Sequence, residues 1–207
     1  MESMIRKVRS FGKKMLHGDS LIKIKYSKEE WDQQYDKGRW NFLLHEQANI
    51  VLVVNELKKI QQENPSQKLR VLDVGCGNGA LGRRLSAESF EYIGTDISDV
   101  AIEEAKVEVP WGTFHQWNMD EPPQDTSVYD VIVFCEVLIY GNYETILEHY
   151  TPLLKPEGLL VISLYDVWRT KIIWRTLKTK VHVLNAEYVY NKIRDIGWNV
   201  VVVKIKK

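Results

Sequence analysis

The sequence has little of what several protein classes require. It contains two cysteines, Cys76 and Cys135, in 207 residues, too few for a disulfide-built secreted scaffold, so a reducing cytoplasmic compartment is expected. No apolar run reaches the ~18 residues of a transmembrane span, and no secretory h-region follows the basic N-terminus. Tandem repeats and low-complexity segments are absent as well. What is present, 44% apolar and 27% charged residues, is the composition of an ordinary globular domain.

The net charge is zero, but it is unevenly distributed. Residues 1–72 hold 14 basic and 9 acidic side chains, residues 73–166 hold 4 and 17, and residues 167–207 hold 10 and 2. An acidic middle suits a ligand that carries positive charge, and basic ends suit an anionic substrate or surface; solvated faces are the alternative. Residues 3–16 are basic and weakly amphipathic, which indicates either a mobile arm or weak peripheral contact with an anionic membrane.

The first third of the chain is predicted to be helical. Ser27 followed three residues later by Glu30 is the capping-box pattern, and residues 46–62 place apolar side chains on one helical face. We divide the chain into a basic arm (1–26) and one domain (27–207). That domain comprises a helical lid (27–62), a core (69–164) and a substrate-side segment (165–207).

From residue 69 onward, apolar strands alternate with helices. The predicted strands are 69–74, 92–95, 113–117, 129–134, 159–164 and 199–205, and the predicted helices are 80–88, 99–107, 143–154 and 186–196. This alternation predicts an α/β fold: a single doubly wound, Rossmann-like domain with a mostly parallel sheet of six or seven strands flanked by helices. Ligands of such sheets bind at the carboxyl ends of the strands.

The strongest motif lies at the end of the first predicted strand. Residues 71–79 read VLDVGCGNG, and glycines permit a tight turn with close approach of a ligand. Gly75-x-Gly77-x-x-Ala80 also fits the dinucleotide fingerprint. Asp73 argues against a nicotinamide enzyme, because a carboxylate repels a pyrophosphate but suits an ammonium group.

Five segments, in order, resemble the class I S-adenosylmethionine-dependent methyltransferases. They are VLDVGCGNG at 71–79, YIGTDIS at 92–98, NMD at 118–120, YDVIVFCEVL at 129–138 and LLKPEGLL at 153–160. The resemblance covers about residues 69–164 and implies S-adenosylmethionine as cofactor, with S-adenosylhomocysteine as product. The chain also looks loosely similar to nodulation-type N-methyltransferases and to other saccharide-tailoring methyltransferases.

The resemblance implies where the cofactor binds. Asp96 accepts from the ribose hydroxyls, since an ionised carboxylate offers two oxygens; capping of the next helix is the alternative, although Ser98 also suits that role. Asp120 accepts from the adenine amine or simply opens a turn, and Ile97 and Met119 sandwich the adenine. The implied cofactor-binding positions in this part of the chain are Asp73, Gly75, Cys76, Gly77, Asp96, Ile97, Met119, Asp120 and Cys135.

In many relatives an aromatic helix before the first strand lies over the methionine end of the cofactor. Trp31, Tyr35, Arg39 and Trp40 are the candidates here. A guanidinium at Arg39 suits a bidentate clamp on the methionine carboxylate, and aromatic faces attract a sulfonium. The alternative is that the aromatic residues only pack this helix on the domain.

A general base is needed only where the acceptor must lose a proton. In relatives, the segment corresponding to 135–140 leaves the fourth strand beside the transferring methyl group. Tyr140, at a position where relatives often have histidine, and Glu136 are the candidates for orienting or deprotonating the acceptor; packing and helix capping are the alternatives. No Cys/His spacing predicts a metal site.

The acceptor is the least defined part of the prediction. Residues 168–184 are basic and aromatic, and they suit a sugar by stacking and an anion by charge through Trp168, Arg169, Lys171, Trp174 and Arg175. A small molecule, with a saccharide or glycan precursor foremost, is the expected substrate of a monomer or homodimer. RNA methylation and a non-catalytic scaffold are the alternatives. The family's final antiparallel hairpin is not evident, so one strand is either absent or lies at 180–184.

Overall fold

The structure is a computed structural model that describes residues 26–45, 47–123, 126–192 and 195–206. Its helices are α1 (Lys28–Asp36), α2 (Ala48–Glu63), α3 (Asp99–Glu108), α4 (Tyr143–Tyr150) and α5 (Trp168–Lys180). Its strands are β1 (Leu69–Val74), β2 (Phe90–Asp96), β3 (Thr113–Gln116), β4 (Tyr129–Cys135), β5 (Leu154–Tyr165), β6 (Val181–Asn191) and β7 (Ile196–Ile205). The basic arm predicted at 1–26, with its membrane contact at 3–16, lies outside the described residues apart from Tyr26.

The strands form one seven-stranded sheet in the order β3-β2-β1-β4-β5-β7-β6. β1 to β5 pair in parallel, whereas β7 runs antiparallel to both β5 and β6. The strand order reverses between β1 and β4, so the carboxyl ends of these two strands border the crevice where open α/β sheets bind ligands. The predicted α/β fold is confirmed.

Helices cover both faces of the sheet, because successive side chains of its central strands point to opposite faces and are apolar on both. Val71 and Val131 lie in a cluster with residues of α2 and α3. Leu72 and Ile132 lie in a second cluster with residues of α4 and α5. Among the helices of the described residues, none is long and apolar enough to cross a membrane.

The helix predicted at 80–88 is wrong. This segment forms turns with a short 3-10 helix at Gly82–Arg84. The amide of Leu85 donates to the carbonyl of Gly82, a three-residue spacing, and the ring of Tyr92 lies where a side chain at position 82 would project. Close packing against β2 therefore replaces the expected α-helix.

The helix predicted at 186–196 is also wrong, and its correction supplies the missing hairpin. Residues 181–191 form β6, which pairs with β7 along its length. Apolar residues at Ala186 and Tyr190 fit a helical spacing, but Tyr188, Val189 and Tyr190 favour strands and β7 offers a partner. Both strands of the final antiparallel hairpin are thus present, and the 180–184 candidate marks the start of β6.

Candidate functional site

The glycine turn after β1 adopts a backbone that favours glycine. Gly75 and Gly77 have φ of 73° and 54°, a region that costs other L-residues roughly 1–2 kcal/mol. A Cβ at Gly75 would collide with Val137, and one at Gly77 would lie 2.8 Å from the Tyr35 hydroxyl oxygen. The turn is therefore held closely between the end of β4 and α1.

Asp73, near the end of β1, is a buried carboxylate with one unpaired oxygen. It is 2% exposed, and its Oδ2 accepts a 2.5 Å hydrogen bond from the Tyr92 hydroxyl. Its Oδ1 has no partner among the described residues. Burial raises the pKa of Asp73 to about 7; the nearby Asp96 carboxylate adds to the rise, and the Tyr92 hydrogen bond opposes it. A buried carboxylate without a cation is costly, so this position suits a cationic ligand.

Asp96 ends β2 and holds the glycine turn in place. Its Oδ2 accepts from the Gly77 amide and its Oδ1 from the Ser98 amide, both at 3.0 Å. Burial raises the pKa of Asp96 to about 6, against these hydrogen bonds. The Ser98 hydroxyl accepts from the Ala101 amide at 3.2 Å and caps α3. Each Asp96 oxygen retains a further acceptor position, and the ribose contact stays a prediction.

An aromatic lid, which we define as Trp31, Tyr35 and Trp40, packs beside the glycine turn. Tyr35 is buried, and the ring centroids of Trp31 and Trp40 lie 5.7 Å apart. Trp31 also meets Tyr140 edge to face at 5.1 Å. The lid residues do pack α1 on the domain, and in doing so they join the glycine turn to the segment after β4.

Asp32 fastens α1 to the start of α3, a contact that the sequence analysis missed. Its Oδ1 accepts from the Ser98 hydroxyl at 2.6 Å and the Val100 amide at 3.4 Å. Lys28 pairs with Asp32 at 2.8 Å and with Asp99 at 2.7 Å. The Ser98 amide also donates to Asp96. Ser98 therefore connects α1, through Asp32, to the predicted ribose-binding carboxylate. Sequence spacing carries no signal for a contact between residues 66 positions apart.

Arg39 and Asp120 are placed differently from the buried carboxylates. Arg39 is exposed, and its guanidinium makes no ion pair with another described residue, so its clamp on a carboxylate stays a prediction. Asp120 Oδ1 accepts from the Asn142 amide, just before α4, at 3.3 Å. Ile97 and Met119 are partly exposed. The adenine contacts of Ile97, Met119 and Asp120 stay predictions.

Glu136, the residue after β4, is held in an unusual conformation. Its φ is 62°, a strain of the kind that clusters at functional sites. Its Oε1 accepts from the Ser163 hydroxyl at 2.6 Å and its Oε2 from the Tyr165 amide at 2.9 Å. Asn49 extends this network by donating to the Ser163 hydroxyl oxygen at 3.4 Å. Burial raises the pKa of Glu136 to about 7, against both hydrogen bonds to its carboxylate.

Three other groups near the glycine turn and the end of β4 stay protonated at neutral pH. Burial raises the pKa of the Tyr140 phenol well above its ordinary value, and it does the same for the Cys76 and Cys135 thiols. Tyr140 is therefore better suited to orienting an acceptor than to deprotonating it. Among the described residues, no group of three His, Cys, Asp or Glu side chains could hold a metal ion.

The basic, aromatic segment after β5 is α5, a helix that the sequence analysis did not predict. Trp168 at its start is 69% exposed. An open groove of about 400 Å³ lies between α5 and the β6–β7 hairpin, and it is lined partly by Lys171, Trp174 and Arg175. The structure thus brings three of the five predicted substrate residues to one groove, whose lining does not include Trp168 and Arg169.

The unpaired polar atoms provide a test of whether this site fits S-adenosylmethionine. Besides Asp73 Oδ1, two buried atoms near the turn lack a partner among the described residues: Asn78 Oδ1 and Trp40 Nε1. Buried polar groups are nearly always hydrogen-bonded. Unpaired buried atoms also occur elsewhere among the described residues, at Tyr150 and Trp174 for example, so the test rests on Asp73 Oδ1, which belongs to a carboxylate. Two acceptors, one of them a carboxylate, fit a ligand that brings an ammonium group.

The chain is also similar to known methyltransferases. Residues 72–160 match a family described as a methyltransferase domain. A protein of Geobacillus sp. (strain WCH70) that is named as a methyltransferase is 35% identical over 120 residues, 54% of this chain and 49% of that protein. The ubiquinone biosynthesis O-methyltransferase of Rickettsia felis is 28% identical over 183 residues, 84% of this chain and 66% of that protein. The chain therefore spans about half to two thirds of the length of these relatives.

A solved structure extends the similarity to the whole fold. The N-methyltransferase NodS from Bradyrhizobium japonicum WM9, in complex with S-adenosylhomocysteine, aligns with a TM-score of 0.68 at 16% identity. The alignment covers 86% of this chain and 99% of NodS, and at this identity it establishes the fold. The matched domain and the shared fold confirm the predicted resemblance to the class I S-adenosylmethionine-dependent methyltransferases.

Proposed function

We propose that the chain transfers the methyl group of S-adenosylmethionine to an oxygen or nitrogen atom of a small or medium-sized molecule. The observation that carries this proposal is Asp73, whose buried carboxylate keeps one oxygen unpaired beside the glycine turn. The cofactor has a sulfonium and an α-ammonium group, and its ammonium supplies the donor that Asp73 lacks. A pyrophosphate in the same place would add negative charge to a buried anion, which is unfavourable.

The remaining cofactor contacts follow from the placement of the strand ends. Asp96 is proposed to accept from the ribose hydroxyls while its backbone hydrogen bonds keep the carboxylate oriented. Asp120 is proposed to accept from the adenine amine, with Ile97 and Met119 on the two faces of the ring. Tyr35, Arg39 and the walls at Cys76 and Cys135 complete the proposed cofactor site.

We assign the acceptor-side chemistry to Glu136. When bound, the cofactor supplies an activated methyl group, so the protein must position the acceptor and, where the acceptor is protonated, remove one proton. Glu136 has a pKa of about 7, which suits a general base near neutral pH, and Ser163 and Tyr165 fix its carboxylate. Tyr140, which stays protonated, is proposed to orient the acceptor.

A saccharide or glycan precursor is the finer substrate proposal. It is supported by the aromatic and basic side chains of α5, of which Lys171, Trp174 and Arg175 share a groove. The names of the relatives include an O-methyltransferase and an N-methyltransferase, so the acceptor screen must contain both hydroxyl and amine compounds. RNA is the main alternative, and strong weakening of its binding by salt is the property that would favour it.

The first experiment is calorimetric titration of the protein with S-adenosylhomocysteine, with NADH as control ligand. Micromolar binding of S-adenosylhomocysteine alone is expected. The acceptor screen follows with S-adenosylmethionine and with amino sugars, glycan intermediates, phenols and RNA, and it measures S-adenosylhomocysteine formation. Binding of NADH in place of S-adenosylhomocysteine would overturn the proposed cofactor, and binding without turnover on any acceptor would favour the scaffold alternative.

A further inference from the structure

The phenol of Tyr92 is held firmly against Asp73. Tyr92 is 2% exposed, and its ring packs on Trp111 and Phe114 at centroid distances of 6.1 and 5.9 Å. The close approach of the ring to Gly82 leaves no room for a side chain at that position. These contacts leave the hydroxyl little freedom to turn away from Asp73 Oδ2, 2.5 Å away. Tyr92 was not among the residues that the sequence pointed to.

Within the part of the chain that the structure describes, the groups that interact with Asp73 provide no positive charge. The titratable groups that interact with it are Tyr92 and Asp96 from β2, Cys76 from the glycine turn and Cys135 from the end of β4. Tyr92, Cys76 and Cys135 stay protonated and neutral at pH 7, because burial raises the pKa of each, and Asp96 is acidic. With no cationic neighbour, a proton is the means by which Asp73 is neutralised in the free protein.

We propose that Tyr92 is a positioning residue that orients the Asp73 carboxylate, and that binding of the cationic end of the cofactor releases a proton from Asp73 to the solvent. This inference rests on the proposed function, because it takes Asp73 to face the cofactor's ammonium group. The proton leaves the carboxyl oxygen, the ammonium takes over its neutralising role, and no other bond forms or breaks. The Tyr92 hydroxyl favours release, because it donates to the ionised carboxylate.

The pH dependence of cofactor binding distinguishes this role from simple packing. In the Tyr92→Phe variant, the Asp73 carboxylate loses its hydrogen-bond donor and holds its proton to a higher pH. Affinity for S-adenosylhomocysteine, which retains the ammonium group, should therefore fall clearly at pH 7 and recover towards the wild-type value at pH 9. A purely structural role for Tyr92 would weaken binding by the same factor at every pH. Tyr150→Phe is the control, because Tyr150 is also fully buried but its hydroxyl has no partner among the described residues.

Proton release can be counted directly. Calorimetry with S-adenosylhomocysteine at one pH in two buffers of different ionisation enthalpy should give about half a proton released per site at pH 7 and fewer at pH 8.5, because the pKa of Asp73 is about 7. Binding without proton release at pH 7 would overturn this inference and leave the proposed function intact. Absence of binding by the wild-type protein at every pH would instead overturn the proposed function.

A second measurement needs no ligand. The pKa of Asp73 is raised in the folded protein, so the folded state binds a proton that the unfolded state releases, and stability falls as pH rises from about 4 to 7. Asp73→Asn should weaken this fall and raise the melting temperature at pH 8 by several degrees. Asp130→Asn is the control, because Asp130 is paired with Lys155 and the Arg70 amide. An Asp73→Asn variant with the wild-type pH profile would overturn the proton on Asp73.

Discussion

Asp73 is a buried carboxylate in the proposed cofactor half of the site, and Glu136 is a partly exposed carboxylate in the proposed acceptor half. Burial raises the pKa of both to about 7. Among the described residues, Asp73 has one hydrogen-bond donor and an unpaired oxygen, whereas Glu136 has a donor from β5 on each oxygen. The two carboxyl groups thus share a raised pKa but differ in their surroundings. One Asp73 oxygen can still accept from a cation, whereas both Glu136 oxygens already accept from protein donors. Asp73 is suited to binding charge, and Glu136 is suited to moving a proton.

The largest expected effect is on turnover, at Glu136. Glu136→Gln preserves the size of the side chain but removes the base, so kcat should fall by roughly 10²–10⁴, while S-adenosylhomocysteine affinity stays within about twofold. In the wild-type enzyme kcat should rise with pH through about 7, because the base must be ionised, and the variant should lose this rise. Steady-state rates with the acceptor found in the screen provide the measurement.

The control for this change is Glu144→Gln, on the exposed first turn of α4, where the carboxylate only approaches Lys180 at 3.9 Å. It should behave as wild type. If Glu136→Gln retained full kcat with an unchanged pH profile, Glu136 would have only a structural role. Asp73 and Glu136 would then differ in their hydrogen-bond partners but not in a role in proton transfer.

The next largest effect is on binding, at Asp96. Asp96→Ala removes the proposed charge-assisted hydrogen bonds to the ribose, worth roughly 1.5–3 kcal/mol, so affinity for S-adenosylhomocysteine should fall about 10- to 150-fold. Calorimetry measures the change. Glu103→Ala on the exposed face of α3 is the matched control. Unchanged affinity in Asp96→Ala would contradict the ribose assignment and reduce Asp96 to a support for the glycine turn.

The smallest effect is expected on local stability, at Asp32, which connects α1 to the start of α3. Asp32→Ala removes the acceptor for the Ser98 hydroxyl and the Val100 amide, at a cost of about 1 kcal/mol by analogy with other helix caps. Amide hydrogen exchange should become faster in α1 and at Val100, while the sheet keeps its protection. Asp36→Ala, at the exposed end of α1, is the control. Equal exchange in the two variants would mean that Asp32 does not hold the lid.

The centre of the fold was predictable because strands such as β1 and β4 are short and largely apolar. The prediction for β1 agrees with its observed bounds, and the one for β4 misses a single residue, Cys135. The two false helices, at 80–88 and 186–196, occur where local spacing conflicts with tertiary packing. The Tyr92 ring packs closely against Gly82, and β6 is extended because it pairs with β7. The spacing of apolar residues along the chain reveals neither of these tertiary contacts.

The candidate site residues stay predictions, and only their placement in the fold can be compared with the sequence analysis. Asp73 and Asp96 stand out in sequence: Asp73 lies one residue before the end of β1 and its glycine turn, and Asp96 ends β2 shortly before a helix start. The residues that support the site do not stand out: Tyr92 lies 19 residues from Asp73, and in the Glu136 network Asn49 lies 114 residues from Ser163. A residue that binds a ligand leaves a local motif, whereas a residue that supports it is identified only once the strands are paired.

The edge-to-face contact between Trp31 and Tyr140 has a consequence for the order of the catalytic cycle. Trp31 belongs to the aromatic lid beside the glycine turn, and Tyr140 is the residue proposed to orient the acceptor. The proposed acceptor side is therefore supported by the lid. Such an arrangement favours a sequential mechanism in which the cofactor enters first and S-adenosylhomocysteine departs last, so that product inhibition is competitive with the cofactor and not with the acceptor.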